Sequence, residues 1–165
     1  MKKSLWLISL LWILILSWCW SSMDVVEYND NFVSIVKECT DANQTLFQNF
    51  NTDWSSVDSI MASLQENISI CENAQKKASD MWDYNKDSSL KDAVVDLLSK
   101  EVEYLQKFWS TSQYRNIDNI TPEDEAVYGE VVKDLYQTET ELNSKFVALQ
   151  DIQEAFAVKN GLKLE

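Results

Sequence analysis

Apolar residues recur at three- and four-residue intervals along most of the chain, and this spacing constrains its fold more than any other feature. Such spacing places the apolar side chains on one face of an α-helix, whereas a half-buried strand needs strict alternation. From residue 24 onward there is one proline and almost no alternating run. The sequence therefore predicts an all-α domain, with apolar faces over residues 25–50, 57–81, 90–108 and 128–156.

The last of these segments carries the clearest signals for helix ends. Thr121 is a favourable N-cap residue, and Pro122 suits the first helical position. Asn160 and Gly161 are typical of a helix C-terminus. Four amphipathic helices with short polar connections close most economically into an antiparallel four-helix bundle with coiled-coil-like packing. We expect this bundle, with Tyr128 among the inward-facing residues of its fourth helix.

Residues 1 to 18 have the layout of a signal peptide. Lys2 and Lys3 precede an apolar run of about 12 residues, which is short for a bilayer-spanning helix, although a permanent transmembrane helix is the alternative. Residues 16–19, Leu-Ser-Trp-Cys, resemble the lipobox of bacterial lipoprotein precursors. In that family a small residue precedes the cysteine that is diacylated and becomes the new N-terminus.

The resemblance implies a division of the chain and a location. Residues 1–18 would be the signal peptide that is removed, residues 19–23 the lipidated Cys19 with its tether, and residues 24–165 the helical-bundle domain. The lipid on Cys19 would then hold the domain at a membrane on the extracytoplasmic side, at the cell surface or in a periplasm.

Trp18 breaks the lipobox pattern, because the position before the cysteine calls for a small residue. The chain has 7 Trp and only 2 Gly, where average usage would give roughly 12 Gly. Reading each leader Trp as Gly removes the misfit. We therefore hypothesise that the gene uses UGA for glycine, as some bacterial lineages do; the alternative is a genuinely Trp-rich leader. The leader tryptophans are Trp6, Trp12, Trp18 and Trp20.

The other three tryptophans offer an independent check on this hypothesis. Trp54, Trp82 and Trp109 each lie close to the predicted end of a helix, where glycine is favoured. If they stand for glycine, we expect them at helix ends or connections, largely exposed, in places where a left-handed backbone conformation suits glycine.

Two cysteines remain when Cys19 is lipidated. Cys39 and Cys71 lie on the apolar faces of consecutive predicted helices, at heights that differ by about one turn. An even number of thiols in an exported protein suggests a disulfide. The alternative is two buried free cysteines that pack as small apolar side chains.

Polar residues offer few candidates for a ligand site. Residues 83–88 resemble the opening of an EF-hand loop, but Ser88 stands where glycine belongs and Val94 where the bidentate glutamate belongs. We expect a connecting turn in which Asp87 or Ser88 caps the third helix. Glu101, with Asn67 and Thr138 on neighbouring faces, could build a small polar pocket, although a role in helix register is the simpler interpretation.

Charge and composition exclude several classes of function. The net charge is −13 with no basic cluster, which excludes a surface that tracks nucleic-acid phosphates. The chain has no histidine, so His-ligated zinc and Ser–His or Cys–His nucleophile pairs are excluded. We expect no enzymatic activity, no cofactor and no metal.

Two functions fit this inventory. The first is a lipid-anchored bundle that binds or scaffolds an envelope protein partner, whose identity the sequence does not give. The alternative is a lipoprotein that binds a small ligand or metal for a transporter or sensor. A pocket above about 300 Å³ between helices, with convergent polar groups, would favour the second, and a solid core the first.

Overall fold

The computed structural model describes residues 24–52, 57–113 and 121–161. These residues form four helices, and no strand occurs among them. The prediction of an all-α four-helix bundle is confirmed. No helix in the described ranges combines the length and apolar character needed to cross a membrane. The helices are α1 (Val25–Thr52), α2 (Val57–Asp80), α3 (Ser89–Gln113) and α4 (Pro122–Lys159).

Each helix packs most extensively against the next one along the chain. Ion pairs from Lys107 to Asp134 and from Lys145 to Asp96 fix α3 and α4 in antiparallel register. The first and last helices meet at one end of the bundle. There Gln153 donates a hydrogen bond of 3.0 Å to Asn29.

The core runs the length of the bundle along the faces that the apolar spacing predicts. At the end where α1 begins, the core is aromatic: the Tyr28 ring lies 5.1 Å from the Phe32 ring and 5.6 Å from the Phe156 ring, centroid to centroid. Stacked and edge-to-face rings add to the stability that burial alone provides. Its largest fully buried side chains are Tyr28, Phe32, Phe156, Leu64, Leu90, Leu97, Leu98 and Leu105.

Both ends of α4 follow the sequence signals. The Thr121 hydroxyl accepts a hydrogen bond from the Asp124 amide, and the Asp124 carboxylate accepts one from the Thr121 amide, forming a capping box. Asn160 caps the C-terminus, and Gly161 follows at φ +86°. Glycine adopts that left-handed conformation without the steric cost that a Cβ atom brings.

Tyr128 does not face the core, contrary to the expectation from the sequence. Its side chain is 39% exposed, and neighbouring residues in the first turns of α4 are exposed as well. The cause is helix length: α4 has 38 residues and α3 has 25. Because Lys107 faces Asp134 and the helices are antiparallel, the end of α3 at Gln113 falls near Tyr128. The apolar spacing of α4 continues beyond the end of α3, the helix that would otherwise bury Tyr128.

Candidate functional site

A buried polar cluster crosses the middle of the bundle; it consists of Asn43, Asn67, Glu101 and the Cys39–Cys71 disulfide. Asn43 is at its centre. Its amide nitrogen donates to the Glu101 carboxylate at 3.0 Å, and its amide oxygen accepts from the Asn67 nitrogen at 3.3 Å. The same nitrogen lies 3.7 and 3.8 Å from the sulfur atoms of Cys39 and Cys71. The polar cluster therefore connects α1, α2 and α3.

Glu101 is 6% exposed. The hydrogen bond that its carboxylate accepts from Asn43 stabilises the charged form. Burial raises the pKa of its carboxyl group to about 7, and the Asn43 hydrogen bond offsets part of this rise. A carboxyl group with a pKa near 7 changes protonation state around neutral pH. The polar cluster therefore contains a titratable group that responds within the physiological range.

The two cysteines of the polar cluster are fully buried and joined. Their sulfur atoms lie 1.98 Å apart and their Cα atoms 4.7 Å apart, between α1 and α2. This is within the Cα separation that a disulfide requires. The bond closes a sequence separation of 32 residues, which includes the α1–α2 connection.

The sequence identified the polar cluster incompletely. Glu101 and Asn67 come together as it suggested, but Thr138 does not join them: its hydroxyl accepts from the Lys107 ammonium at 2.8 Å. Asn43, which joins the others, was missed. Asn43 follows Cys39 by four residues and is 7% exposed, whereas the neighbouring Ala42 is half-buried. The i,i+4 relation to Cys39 was the available signal.

Residues 81–88 form the connecting turn that the sequence favoured over a calcium loop. Asn85 and Lys86 have φ values of 52° and 65°, and the Asp87 amide donates to the Tyr84 carbonyl at 2.8 Å. The Asp87 carboxylate accepts from Lys159 at 2.7 Å and from the Ser89 amide at 3.0 Å, which lowers its pKa to about 2. Asp87 thus caps α3 and ties it to α4. Nowhere in the described ranges do three or more metal-binding side chains converge.

A groove opens between α1 and α4, on the side where the two helices have few contacts; we call it the α1–α4 groove. Its volume is about 310 Å³. The floor is apolar, formed by Phe32 and Val36 of α1, Val94 of α3, and Phe146 and Leu149 of α4. Val33, Lys37, Thr40, Gln150 and Gln153 line its mouth. The groove exceeds the volume of about 300 Å³ expected of a ligand pocket, and its polar side chains lie at the mouth instead of converging inside it.

The two tryptophans within the described ranges occupy different environments. Trp82 lies in the connection after α2 and is 48% exposed, as the glycine hypothesis expects. Its backbone carbonyl accepts a 2.7 Å hydrogen bond from the buried Tyr28 hydroxyl, a contact that any residue could make. Trp109 differs from the expectation, because it lies within α3 and packs half-buried against the core. Neither has a positive φ.

The expected lipidation site, Cys19, and the third tryptophan outside the leader, Trp54, lie outside the described residues. Comparison of the chain with protein-family models, curated proteins and solved structures finds no match. The case for a function therefore depends on the chain's own residues and on the geometry of the bundle.

Proposed function

We propose that this chain is the precursor of a lipid-anchored, non-enzymatic helical-bundle protein that acts on the extracytoplasmic side of a membrane. The observation that carries the proposal is the order of residues in the leader. Lys2 and Lys3, an apolar run and then Leu16, Ser17 and Cys19 follow the order found in lipoprotein precursors. Lipidation of Cys19 would leave a tether of only a few residues before α1 begins at Val25.

Two features of the domain support this location. Disulfides persist in oxidising compartments and are rare in the cytosol, which fits the Cys39–Cys71 pair. The whole chain has a net charge of −13, and its two leader lysines lie outside the domain, so an anionic lipid surface would repel the domain. Attachment to a membrane would therefore depend on the lipid of Cys19.

Within this proposal, the α1–α4 groove favours a ligand-binding role alongside the scaffolding role. A groove of about 310 Å³ lies at the lower end of the range of ligand pockets, roughly 300 to 1,000 Å³. Its apolar floor and polar mouth have the general composition of such pockets. A ligand-binding lipoprotein would serve a transporter or sensor in the same envelope.

Membrane fractionation in the native host tests the anchoring. The wild-type protein should sediment with membranes, remain there after a high-salt wash, and be released by detergent. The Cys19→Ser variant should carry no lipid. An added protease site at residue 18 removes its leader, and the cleaved variant should then stay in the soluble fraction. Release of the wild type by salt alone would contradict a lipid anchor. Protease added to intact cells or spheroplasts should digest the bundle if it faces outward.

We also propose that the tryptophans of the leader, and Trp82, are glycine in the native protein. The support is the lipobox misfit at Trp18 and the position of Trp82, which lies in a connection and is 48% exposed. Its indole does contact the core, with a ring centroid 6.0 Å from that of Tyr28. The coding DNA should contain UGA at these codons. Mass spectrometry of the native protein should give glycine in the peptide that spans Met81 to Asp83. Tryptophan in that peptide would reject the recoding.

A further inference from the structure

The α1–α4 groove differs from the rest of the surface in its charge. The chain carries 27 acidic and 14 basic residues, yet no carboxylate lines the groove. The single charged residue among those that line it is Lys37. Lys37 lies one turn beyond Val33 on the same face of α1, so its ammonium group follows the apolar side chains of α1 that line the groove.

Lys37 is accessible to a ligand. Its side chain is 65% exposed, and its ammonium group pairs with Asp41, which is 57% exposed. An exposed pair of this kind contributes little stability, so a ligand carboxylate can replace Asp41 at small cost. The Thr40 hydroxyl lies at the groove mouth and donates to the Lys37 carbonyl at 3.3 Å; it would have to give up this bond to donate to the same carboxylate.

The floor of the groove suits an alkyl chain. It extends along α1 from Phe32 to Thr40, which is about 12 Å at the helical rise. The side chains of Phe32, Val36, Phe146 and Leu149 offer no hydrogen-bonding atom, and a saturated chain requires none. Val33 is 46% exposed at the edge, so an apolar ligand would cover surface that water now contacts.

We propose that the α1–α4 groove binds a single-chain amphiphile with a carboxylate head, a medium-chain fatty acid, with the alkyl chain on the apolar floor and the carboxylate at Lys37. This inference deepens the ligand-binding role proposed above and rests on it, but not on lipidation of Cys19. It is also independent of the recoding, because no tryptophan lines the groove.

Photo-crosslinking of the full-length protein in phosphatidylcholine vesicles tests the site. The probe is decanoic acid with a diazirine in mid-chain, and mass spectrometry locates the labelled residues. We expect the label on residues 32–40 of α1 and 146–153 of α4. An excess of unlabelled decanoic acid should compete with the probe and abolish the label on these residues.

Two matched substitutions place a carboxylate inside or outside the groove. Val33→Asp puts a carboxylate at the edge of the groove, one helical turn from Lys37, and should reduce labelling about tenfold, because it repels the ligand carboxylate and removes apolar contact surface. Val147→Asp is the control, because Val147 is 61% exposed on α4 and does not line the groove. Its labelling should equal that of the wild type. Should Val33→Asp fail to fold, Gln150→Glu provides the same test at an exposed position of the mouth.

The head group is tested separately. Lys37→Gln should reduce labelling by the carboxylate probe about threefold and leave labelling by the matching alcohol probe unchanged. Label spread evenly over the bundle, or equal labelling of wild type and Val33→Asp, would overturn the site. Equal labelling by acid and alcohol probes would overturn the choice of a carboxylate. Failure of lipidation would appear differently, as protein that does not float with the vesicles.

Discussion

A carboxyl group buried among apolar side chains is costly to ionise, and Glu101 is the residue of the bundle to which this applies. Its pKa, raised to about 7 by burial, means that the folded protein binds a proton more tightly than the unfolded chain does. Between the ordinary glutamate pKa, near 4.5, and 7, the folded state therefore carries more protons. By linkage, this group makes the free energy of unfolding fall as pH rises through that window.

Replacing Glu101 with glutamine removes this dependence. The amide oxygen of glutamine can still accept from Asn43, and it carries no charge to desolvate. We expect Glu101→Gln to increase the free energy of unfolding by about 2 to 3 kcal/mol at pH 8 and by little at pH 4.5. Urea denaturation followed by circular dichroism across this pH range measures the difference.

Glu103 provides the matched control on the same helix. Its carboxylate accepts from Lys100 at 2.6 Å and pairs with Lys107 at 2.8 Å, which lowers its pKa. Glu103→Gln should therefore reduce stability slightly at neutral pH and show no gain at pH 8. A gain for both variants would indicate a general relief of negative charge rather than the burial of Glu101.

The disulfide is the second test at the scale of single residues. On the chain-entropy model, closing a loop of 32 residues contributes roughly 3 to 4 kcal/mol, so Cys39→Ala with Cys71→Ala should lower stability by about that amount. Mass spectrometry of the exported protein, alkylated without reductant, should find neither thiol free. Two alkylated thiols would contradict an oxidised pair.

At the scale of helices, the sequence predicted most of what the structure contains, because apolar spacing and end signals are local. Thr121, Pro122 and Asn160 marked α4 to the residue. The errors arose where burial depends on neighbours rather than on period. Tyr128 has the spacing of a core residue but lies where α3 ends, so it is exposed. The buried amide of Asn43 is paired with side chains on two other helices.

Dependence on neighbouring helices also explains why the sequence did not predict the α1–α4 groove or the hydrogen bonds of the polar cluster. Each depends on how closely helices distant in sequence approach one another. Periodicity shows which face of α1 is apolar, but not that Phe32 and Phe146 remain far enough apart to leave a space between them.

The two described tryptophans give different predictions for substitution by glycine. Trp82 is half-exposed in a connection, its carbonyl accepts from Tyr28, and its indole centroid lies 6.0 Å from the Tyr28 ring centroid, so Trp82→Gly should lower stability by about 1 kcal/mol. Trp109 is half-buried inside α3, so Trp109→Gly should cost about 2 to 4 kcal/mol from lost packing and low helix propensity. Thermal denaturation of the two variants, with Trp109→Ala to separate the propensity contribution, checks this.

These expectations replace the one drawn from the sequence, in which a left-handed backbone would make glycine stabilising at both sites. The left-handed residues of the described chain are Asn85, Lys86 and Gly161. An equal loss of stability for Trp82→Gly and Trp109→Gly would show that the indole of Trp82 contributes to the core, and would weaken the case for glycine there.

For the molecule as a whole, net charge and the position of the N-terminus determine how the protein would lie at a membrane. The N-terminus of α1 lies at the end of the bundle that holds Tyr28 and Phe156, so a lipid on Cys19 would bring this end toward the bilayer. A net charge of −13 would be repelled by an anionic surface, and the described helices include none that spans a bilayer. The lipid on Cys19 is the central element of the proposed function.

Acylation of Cys19 is the most direct measurement of that element. The native host is grown with an alkyne-bearing fatty-acid analogue, and the purified protein is examined for label and for the mass of its N-terminal peptide. We predict label on the wild type, none on Cys19→Ser, and a mature N-terminus at Cys19. Equal labelling of the two proteins, or a wild-type N-terminus that retains Met1 to Trp18, would contradict the account.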